Sequence, residues 1–241
     1  TSSAYSETLS IHSMPDAFAG DDVEICLGDT ATLTASGGSL YDWDNAMEGA
    51  EIEVHPAGNT TYTLTVADDF GCTATDQVEV IVHPLPDAYA GEDQNICLGE
   101  SANLSASGGD DFVWSTGAES QDIDVSPDAD SLFSVTVTNA FGCSATDDVE
   151  IFVFSLNAEA GDDQYICQGE SAVLTATGGD TYEWSTGEES ASIEVSPVAD
   201  TEYFVSVTGN NDCTGTDSVT VYVNQMPTAP ATPSGISQRC A

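Results

Sequence analysis

The chain contains no lysine and a single arginine, Arg239, against 42 aspartates and glutamates, which gives a formal net charge of −41 over 241 residues. Such a chain cannot neutralise phosphates, so nucleic acid is excluded as a partner, and anionic membrane surfaces with it. No apolar run is long enough to span a bilayer, and no secretory leader is recognisable. There is no C-x-x-C pair, and His12, His55 and His83 are scattered and do not recur at one place, which argues against zinc. The scattered histidines also leave no Ser-His-Asp set, and no glycine loop is suited to phosphate. Carboxylate pairs are everywhere, so none stands out as an acid and base couple. We therefore expect no enzyme. Self-repulsion at this charge is severe at low ionic strength. The chain is expected to work in salt, with divalent cations bound, or both.

What is present is a repeat. PDAFAGDDVEICLGDTATLTASGG begins at Pro15, PDAYAGEDQNICLGESANLSASGG at Pro86 and NAEAGDDQYICQGESAVLTATGG at Asn157. Gly20, Gly91 and Gly161 mark one position in each, and the same spacing carries Cys26, Trp43 and Cys72 onto Cys97, Trp114 and Cys143, then onto Cys167, Trp184 and Cys213. Self-similarity over about 70 residues describes an array of small domains, and arrays serve as spacers, stalks or binding surfaces. The expected organisation is repeat 1 over residues 15–85, repeat 2 over 86–156 and repeat 3 over 157–226. Residues 1–14 align with 72–85 and are expected to be the last strand of a preceding domain, or an arm that completes a neighbouring subunit. Residues 227–241 are expected to be a Pro-rich linker that opens a further domain, with Cys240 in the role of Cys26.

Inside each repeat the apolar residues alternate. Ala31, Leu33 and Ala35 do so, then Tyr41 and Trp43, Ile52 and Val54, Tyr62, Leu64 and Val66, and Val78, Val80 and Val82. Period two with turn signals every eight to twelve residues predicts half-buried antiparallel sheets and no helix. The order of landmarks is that of an immunoglobulin-like sandwich, with Tyr62, Phe133 and Tyr203 at the tyrosine-corner position. The predicted fold class is all-β, a tandem array of three Ig-like antiparallel β-sandwich domains. Trp43, Trp114 and Trp184 alternate like core residues, which disfavours an exposed aromatic platform for sugars.

The pattern AGxDxxICxG, a Trp strand, and GCxaTDxVxVxV resembles the Ig-like and PKD-like repeats of large secreted Bacteroidetes surface proteins. These include gliding adhesins and adhesins associated with type IX secretion. The resemblance covers residues 15–226. It implies a secreted protein, extracellular or on the cell surface, and it implies no particular ligand.

Two cysteines per repeat point to disulfides and an oxidising compartment. All six, Cys26, Cys72, Cys97, Cys143, Cys167 and Cys213, are expected to be oxidised. Two pairings stand open. Within repeats, Cys26–Cys72, Cys97–Cys143 and Cys167–Cys213 would close loops of about 46 residues, each worth roughly 4 kcal/mol. An Ig-like strand order objects, because it puts the two cysteines at opposite ends of a domain. Between repeats, Cys26–Cys143 and Cys97–Cys213 would tie neighbours together, and Cys72, Cys167 and Cys240 would pair with repeats outside this sequence or with other chains. The within-repeat pairing is slightly preferred, as the commoner arrangement in arrays.

Carboxylates recur where the chain enters each repeat: Asp21 and Asp22, Glu92 and Asp93, Asp162 and Asp163. Two further loops are expected at the same end, one with Asp110, Asp111 and Asp180, the other with Asp68, Asp69, Asn139, Asn210 and Asp212. Converging hard oxygens suit calcium, whereas Asp-rich turns also arise for conformational reasons alone. Asp76, Asp147 and Asp217 recur in TATD, SATD and TGTD, and are expected to accept backbone N–H groups. Asn59 and Asn103 head N-glycosylation sequons, and Asp29-Thr30, Asp130-Ser131 and Asp217-Ser218 resemble bacterial O-glycosylation sites. The expected function is a stalk or filament segment of a repetitive extracellular adhesin. Its partners would be other domains of the same chain, neighbouring chains in a filament, or a surface polysaccharide or receptor. The rivals are a module that itself contacts a carbohydrate or other substrate, and a subunit of a strand-exchanged filament.

Overall fold

Alternating burial turns the sequence pattern into eighteen strands, and the computed structural model describes residues 12–225. Most of the 1–14 segment, and all of 227–241 with Cys240, lie outside the described residues, while residues 12–14 carry no strand. Repeat 1 holds β1 (Val23–Cys26), β2 (Ala31–Thr34), β3 (Leu40–Trp43), β4 (Glu51–Val54), β5 (Thr60–Ala67) and β6 (Thr73–His83). Repeat 2 holds β7 (Gln94–Cys97), β8 (Ala102–Ser105), β9 (Asp111–Trp114), β10 (Asp122–Val125), β11 (Ser131–Thr138) and β12 (Ser144–Phe154). Repeat 3 holds β13 (Gln164–Cys167), β14 (Ala172–Thr175), β15 (Thr181–Trp184), β16 (Ser192–Val195), β17 (Thr201–Thr208) and β18 (Thr214–Asn224). The described residues include no helix, and none therefore that could cross a membrane.

Each repeat makes one four-stranded and one two-stranded sheet, ordered β1-β6-β5-β3 with β2-β4 in the first and repeated in the others. An additional bridge joins Phe18 to Ser36 beside β2, and Tyr89–Ser107 and Glu159–Thr177 repeat it. The incoming chain therefore touches the small sheet first and then crosses to the large one. This is immunoglobulin-like strand order: three sandwiches in one all-β chain. One feature departs from a purely antiparallel sheet. β1 runs parallel to β6, Val23 opposite Val80 and Cys26 opposite His83, as do β7 with β12 and β13 with β18.

The residues divide into two compact units. The first is Thr1–Glu92 with Asn103–Ile123 and Leu132–Val149, and the second is Asp93–Ala102 with Asp124–Ser131 and Glu150–Ala241. The middle repeat is thus shared between them.

The cores lie where alternation puts them. In repeat 1 Leu33, Trp43, Ile52, Leu64, Val66, Val78 and Val80 form one buried cluster, and Leu174, Trp184, Val205, Val207, Val219 and Val221 match it in repeat 3. Removing each such side chain from water contributes about 1.5–3 kcal/mol. The indole N–H of Trp43, Trp114 and Trp184 donates to the carbonyl of Gly49, Ser120 and Ser190, so the ring is buried without an unpaired donor. Tyr62 and Tyr203 lie buried in β5 and β17. Burial raises both phenols above their ordinary value, and the negative charge of Asp44 adds to the effect at Tyr62.

The paired glycines after β2 have a steric reason. Gly37 has φ +105°, and a Cβ there would stand 1.8 Å from the Asp16 carbonyl oxygen on the incoming chain. Gly28 also has positive φ, +97°, but a Cβ there meets nothing within 4 Å. Gly37→Ala is expected to cost about 3 kcal/mol or more, combining strain with a backbone clash, and Gly28→Ala about 1 kcal/mol from strain alone. Denaturant unfolding of the two variants measures the difference. The raised phenols predict a second effect. A neutral Tyr62 and Tyr203 are favoured in the fold, so their contribution is complete below the unfolded phenol pKa of about 10 and is lost as pH rises through the higher folded value. Tyr62→Phe with Tyr203→Phe should flatten the fall in melting temperature above pH 10.

Candidate functional site

The recurring acids were the sequence's strongest candidate for a site, and the fold uses them on backbone. Ala19, Ala90 and Ala160 are buried at the point where the chain leaves the small sheet for the large one. Their N–H groups donate to the carboxylates of Asp76, Asp147 and Asp217 at 2.9, 2.9 and 2.8 Å. Glycines at positive φ follow, Gly20, Gly91 and Gly161, and turn the chain onto the large sheet. The second acid of each pair, Asp22, Asp93 and Asp163, then accepts from the N–H of Glu79, Glu150 and Thr220, each at 2.8 Å. Asp22 stands one residue before β1 begins, and Val23 faces Val80, so the carboxylate takes the ladder position that the missing strand residue would fill. Asn59, Asp130 and Asp200 do the same at the other end, accepting from Val82, Val153 and Val223. The side chains end β-ladders much as a capping residue ends a helix, leaving no orphaned donor.

The loops assigned to calcium do not meet these acids. Asp22 lies beside Glu79, seven residues along β6 from Cys72, roughly 20 Å from the turn between β5 and β6. In that turn Asp68 accepts from the N–H of Phe70 and Cys72, and Asn139 accepts from Phe141 and Cys143. The matching residue in repeat 3 is Gly209, and Asp212 takes the left-handed position, φ 63°, that Gly71 and Gly142 hold in the other repeats. Ser39 donates to Asp69, so two of the three loops converge in repeat 1. Asp21, Glu92, Asp162, Asp110, Asp180 and Asn210 are exposed, and Glu92 accepts from the Tyr89 hydroxyl. That hydrogen bond is the main cause of the raised Tyr89 phenol pKa, with burial and the charges of Glu92 and Asp147 adding to it. Among the described residues no group of three or more His, Cys, Asp or Glu is placed to hold a metal ion. The expected three-loop convergence is therefore not the arrangement found.

The cysteines make the arrangement that matters. The disulfides are Cys26–Cys143 and Cys97–Cys213, with Cα atoms 5.5 Å apart in both. Cys72 and Cys167 are free. This corrects the within-repeat pairing: the between-repeat alternative is the one found. The physical reason is the parallel register. Cys26 faces His83 at the end of β6, while Cys72 precedes its start at Thr73, so eleven residues, roughly 35 Å, separate them. A disulfide needs Cα atoms within about 7 Å. The topological objection was sound, and the preference for the commoner pairing was not.

Each bolt joins a plug to a socket. The plug is the C-x-G-[DE] turn after the first strand of the large sheet, where Asp29 N–H donates to Cys26 O and Glu100 N–H to Cys97 O. The socket is the turn between the last two strands. Around Cys26–Cys143, His83 stacks on Phe141 with ring centroids 4.0 Å apart and pairs with Glu24 at 2.8 Å, and Asn139 donates to the Pro84 carbonyl. His12 stacks on Phe70 in the same way. His12 and His83 are thus equivalent positions 71 residues apart, a recurrence that the sequence reading missed because repeat 2 has Phe154 there. The sequons stay exposed at Asn59 and Asn103, but the Asn59 side chain is already engaged with Val82. Among the described residues a tyrosine–tyrosine stack is found in repeat 3, Tyr165 on Tyr222, where the other repeats have Glu24 with Ile81 and Asn95 with Phe152.

No protein-family model and no curated protein matches the sequence. Among solved structures the chain is similar to a variant of the titin domains I67–I69 at 13% identity, covering 88% of this chain and 100% of that one, with a TM-score of 0.43. It is similar also to the titin I9–I11 tandem at 13% identity, covering 90% and 99%, TM-score 0.32. For Sidekick-1 immunoglobulin domains 1–5 the values are 14%, 90% and 60%, TM-score 0.32. The immunoglobulin-like class is assigned from the strand order above.

A ladder-ending carboxylate can be tested directly. Asp147→Ala leaves the buried Ala90 N–H without an acceptor and is expected to cost about 2 kcal/mol, whereas Asp147→Asn keeps an oxygen acceptor and should cost less than about 1 kcal/mol. Thermal unfolding of both variants decides. Equal losses would mean that charge, not the hydrogen bond, is what the position supplies.

Proposed function

We propose that this chain is a force-transmitting segment of a secreted, repetitive adhesive protein, a stalk that holds a binding region away from a cell surface. The observation that carries the reading is the way the two disulfides interleave. Cys97 lies inside the loop closed by Cys26–Cys143, and Cys143 inside the loop closed by Cys97–Cys213. Neighbouring repeats are tied side chain to side chain, and the peptide linkers between them are bypassed. Loops of separation 117 and 116 each limit the unfolded chain by an amount worth about 5 kcal/mol on the chain-entropy estimate. Disulfides of this kind persist outside the reducing cytosol. The burial of Trp43, Trp114 and Trp184 favours the stalk over a sugar-binding module. Likeness to the Bacteroidetes surface repeats supplies the biological setting of the proposal: a gliding or type IX-secreted adhesin.

Single-molecule pulling from the two ends tests it. With both bolts closed the shortest covalent path runs through residues 1–26, 97–143 and 213–241, about 100 residues, so full extension stops at roughly 350 Å. After reduction the whole chain extends to roughly 840 Å. Equal extension in the two states would remove the basis for a bolted stalk.

A further inference from the structure

The outer face of the large sheet in repeat 3 differs from its counterparts. On β17 the buried Tyr203, Val205 and Val207 alternate with Glu202, Phe204 and Ser206, which point away from the core, and on β18 Ser218, Thr220 and Tyr222 do the same. Tyr165 on the edge strand β13 faces Tyr222, and the two rings stack with centroids 4.8 Å apart. Tyr165 is 70% exposed and Phe204 53%. Repeats 1 and 2 have Glu24 and Asn95 in place of Tyr165, and Thr63 and Ser134 in place of Phe204. Glu24 and Asn95 are exposed with a bolted repeat after them, so this position stays open within an array. Hydrogen-bonding groups separate the rings. Phe204 lies opposite Ser218, which donates to Glu202 at 2.9 Å, and Glu202 lies opposite Thr220. Against Phe204 is an open depression of about 350 Å³ whose lining includes Glu183, Ser185, Ser206 and Thr216.

We propose that this face binds an extended, neutral, β-linked polysaccharide, which crosses β13, β18 and β17 with sugar rings on Tyr165 and Phe204. Net charge removes polyanions, since the chain carries −41. A polycation is drawn to carboxylates over the whole surface and gains little from this face in particular. What sets the face apart is its rings, and the negative face of an aromatic ring attracts the C–H groups of a sugar. An apolar protein partner would strand the hydroxyls of Ser218, Thr220 and Thr216 and the Glu202 carboxylate, all of which lie between or beside the rings. A sugar supplies both needs, C–H faces for the rings and hydroxyls for the groups between them. Spacing sets the length of the ligand. Tyr165 and Phe204 stand four residues and two strands apart, roughly 16 Å on the diagonal, which exceeds one sugar ring and calls for a straight oligomer. The site is a lateral contact on one repeat. It goes beyond the stalk reading and does not depend on it.

Titration calorimetry of the full, oxidised chain in physiological salt tests it. The neutral β-linked probes are cellohexaose, mannohexaose and N-acetylchitohexaose. Maltohexaose is the α-linked, curling control, and hexalysine the cationic one. At least one β-linked probe is expected to bind, and more tightly than maltohexaose. Tyr165→Asn and Phe204→Ser introduce the residues that repeat 2 carries at these positions, so the fold accepts them. Each should weaken β-linked binding roughly tenfold. Phe204→Tyr, which keeps a ring, should bind as the parent does, and so should Phe18→Ala, which removes an exposed ring in repeat 1. Hexalysine association with the acidic surface should be the same in every variant. The proposal is overturned if no β-linked probe binds, if maltohexaose binds as tightly, if Tyr165→Asn and Phe204→Ser leave binding unchanged, if Phe18→Ala weakens it equally, or if hexalysine is the probe whose binding the ring variants lose.

Discussion

The parallel pairing of a four-residue strand with the far end of an eleven-residue strand governs the rest of this structure. A chain that entered on the antiparallel side would bring its first cysteine back toward the second. Here β1, β7 and β13 instead carry their cysteines to the end of the last strand, while the second cysteine waits at that strand's start. A pair that composition would place within a repeat is held apart by the full length of the domain. Among the described residues, the two bonded plug cysteines, Cys26 and Cys97, each take their partner from the next repeat. The bolt is thus a result of sheet register more than of any affinity between domains.

The acids are tied to the same crossing. For the entering chain to leave the small sheet and run beside the last strand, N–H groups on both sides of the crossing lose their ladder partners. A carboxylate is a strong, acceptor-only group and can reach such a donor from outside the sheet. Six carboxylates, two per repeat, do this at the crossing, and each contact recurs at the equivalent positions of every repeat. Part of the extreme negative charge is therefore structural. The remainder, exposed and without lysine to offset it, works against compaction at low salt, and covalent ties are one means of resisting that repulsion.

Much of the fold was legible because alternation at Leu33, Trp43, Leu64 and Val80 is decided by burial alone, and burial is what the pattern encodes. The parallel first strand was not. VEIC, QNIC and QYIC are four residues long, too short for a period to show, and direction leaves no mark on composition. The recurrence of Asp22, Asp93 and Asp163 correctly marked positions that need a carboxylate. Recurrence does not say whether the carboxylate faces a cation or a peptide N–H, and the fold supplied the N–H. Asp76, Asp147 and Asp217 were read correctly, because their parity with the inward valines aimed them at the sandwich interior. The disulfides show the reverse case: the strand order held the answer, and frequency in other proteins outweighed it.

The interleaved loops also bear on wear. Every peptide bond between Cys26 and Cys213 lies inside at least one disulfide loop, and those between Cys97 and Cys143 lie inside both. A single proteolytic nick anywhere in that span leaves both fragments covalently attached. Within the doubly enclosed stretch, each fragment of the middle repeat is still fastened to a neighbour. Outside a cell, where nothing resynthesises a cut backbone, such a segment can lose any one of these peptide bonds and still remain one molecule.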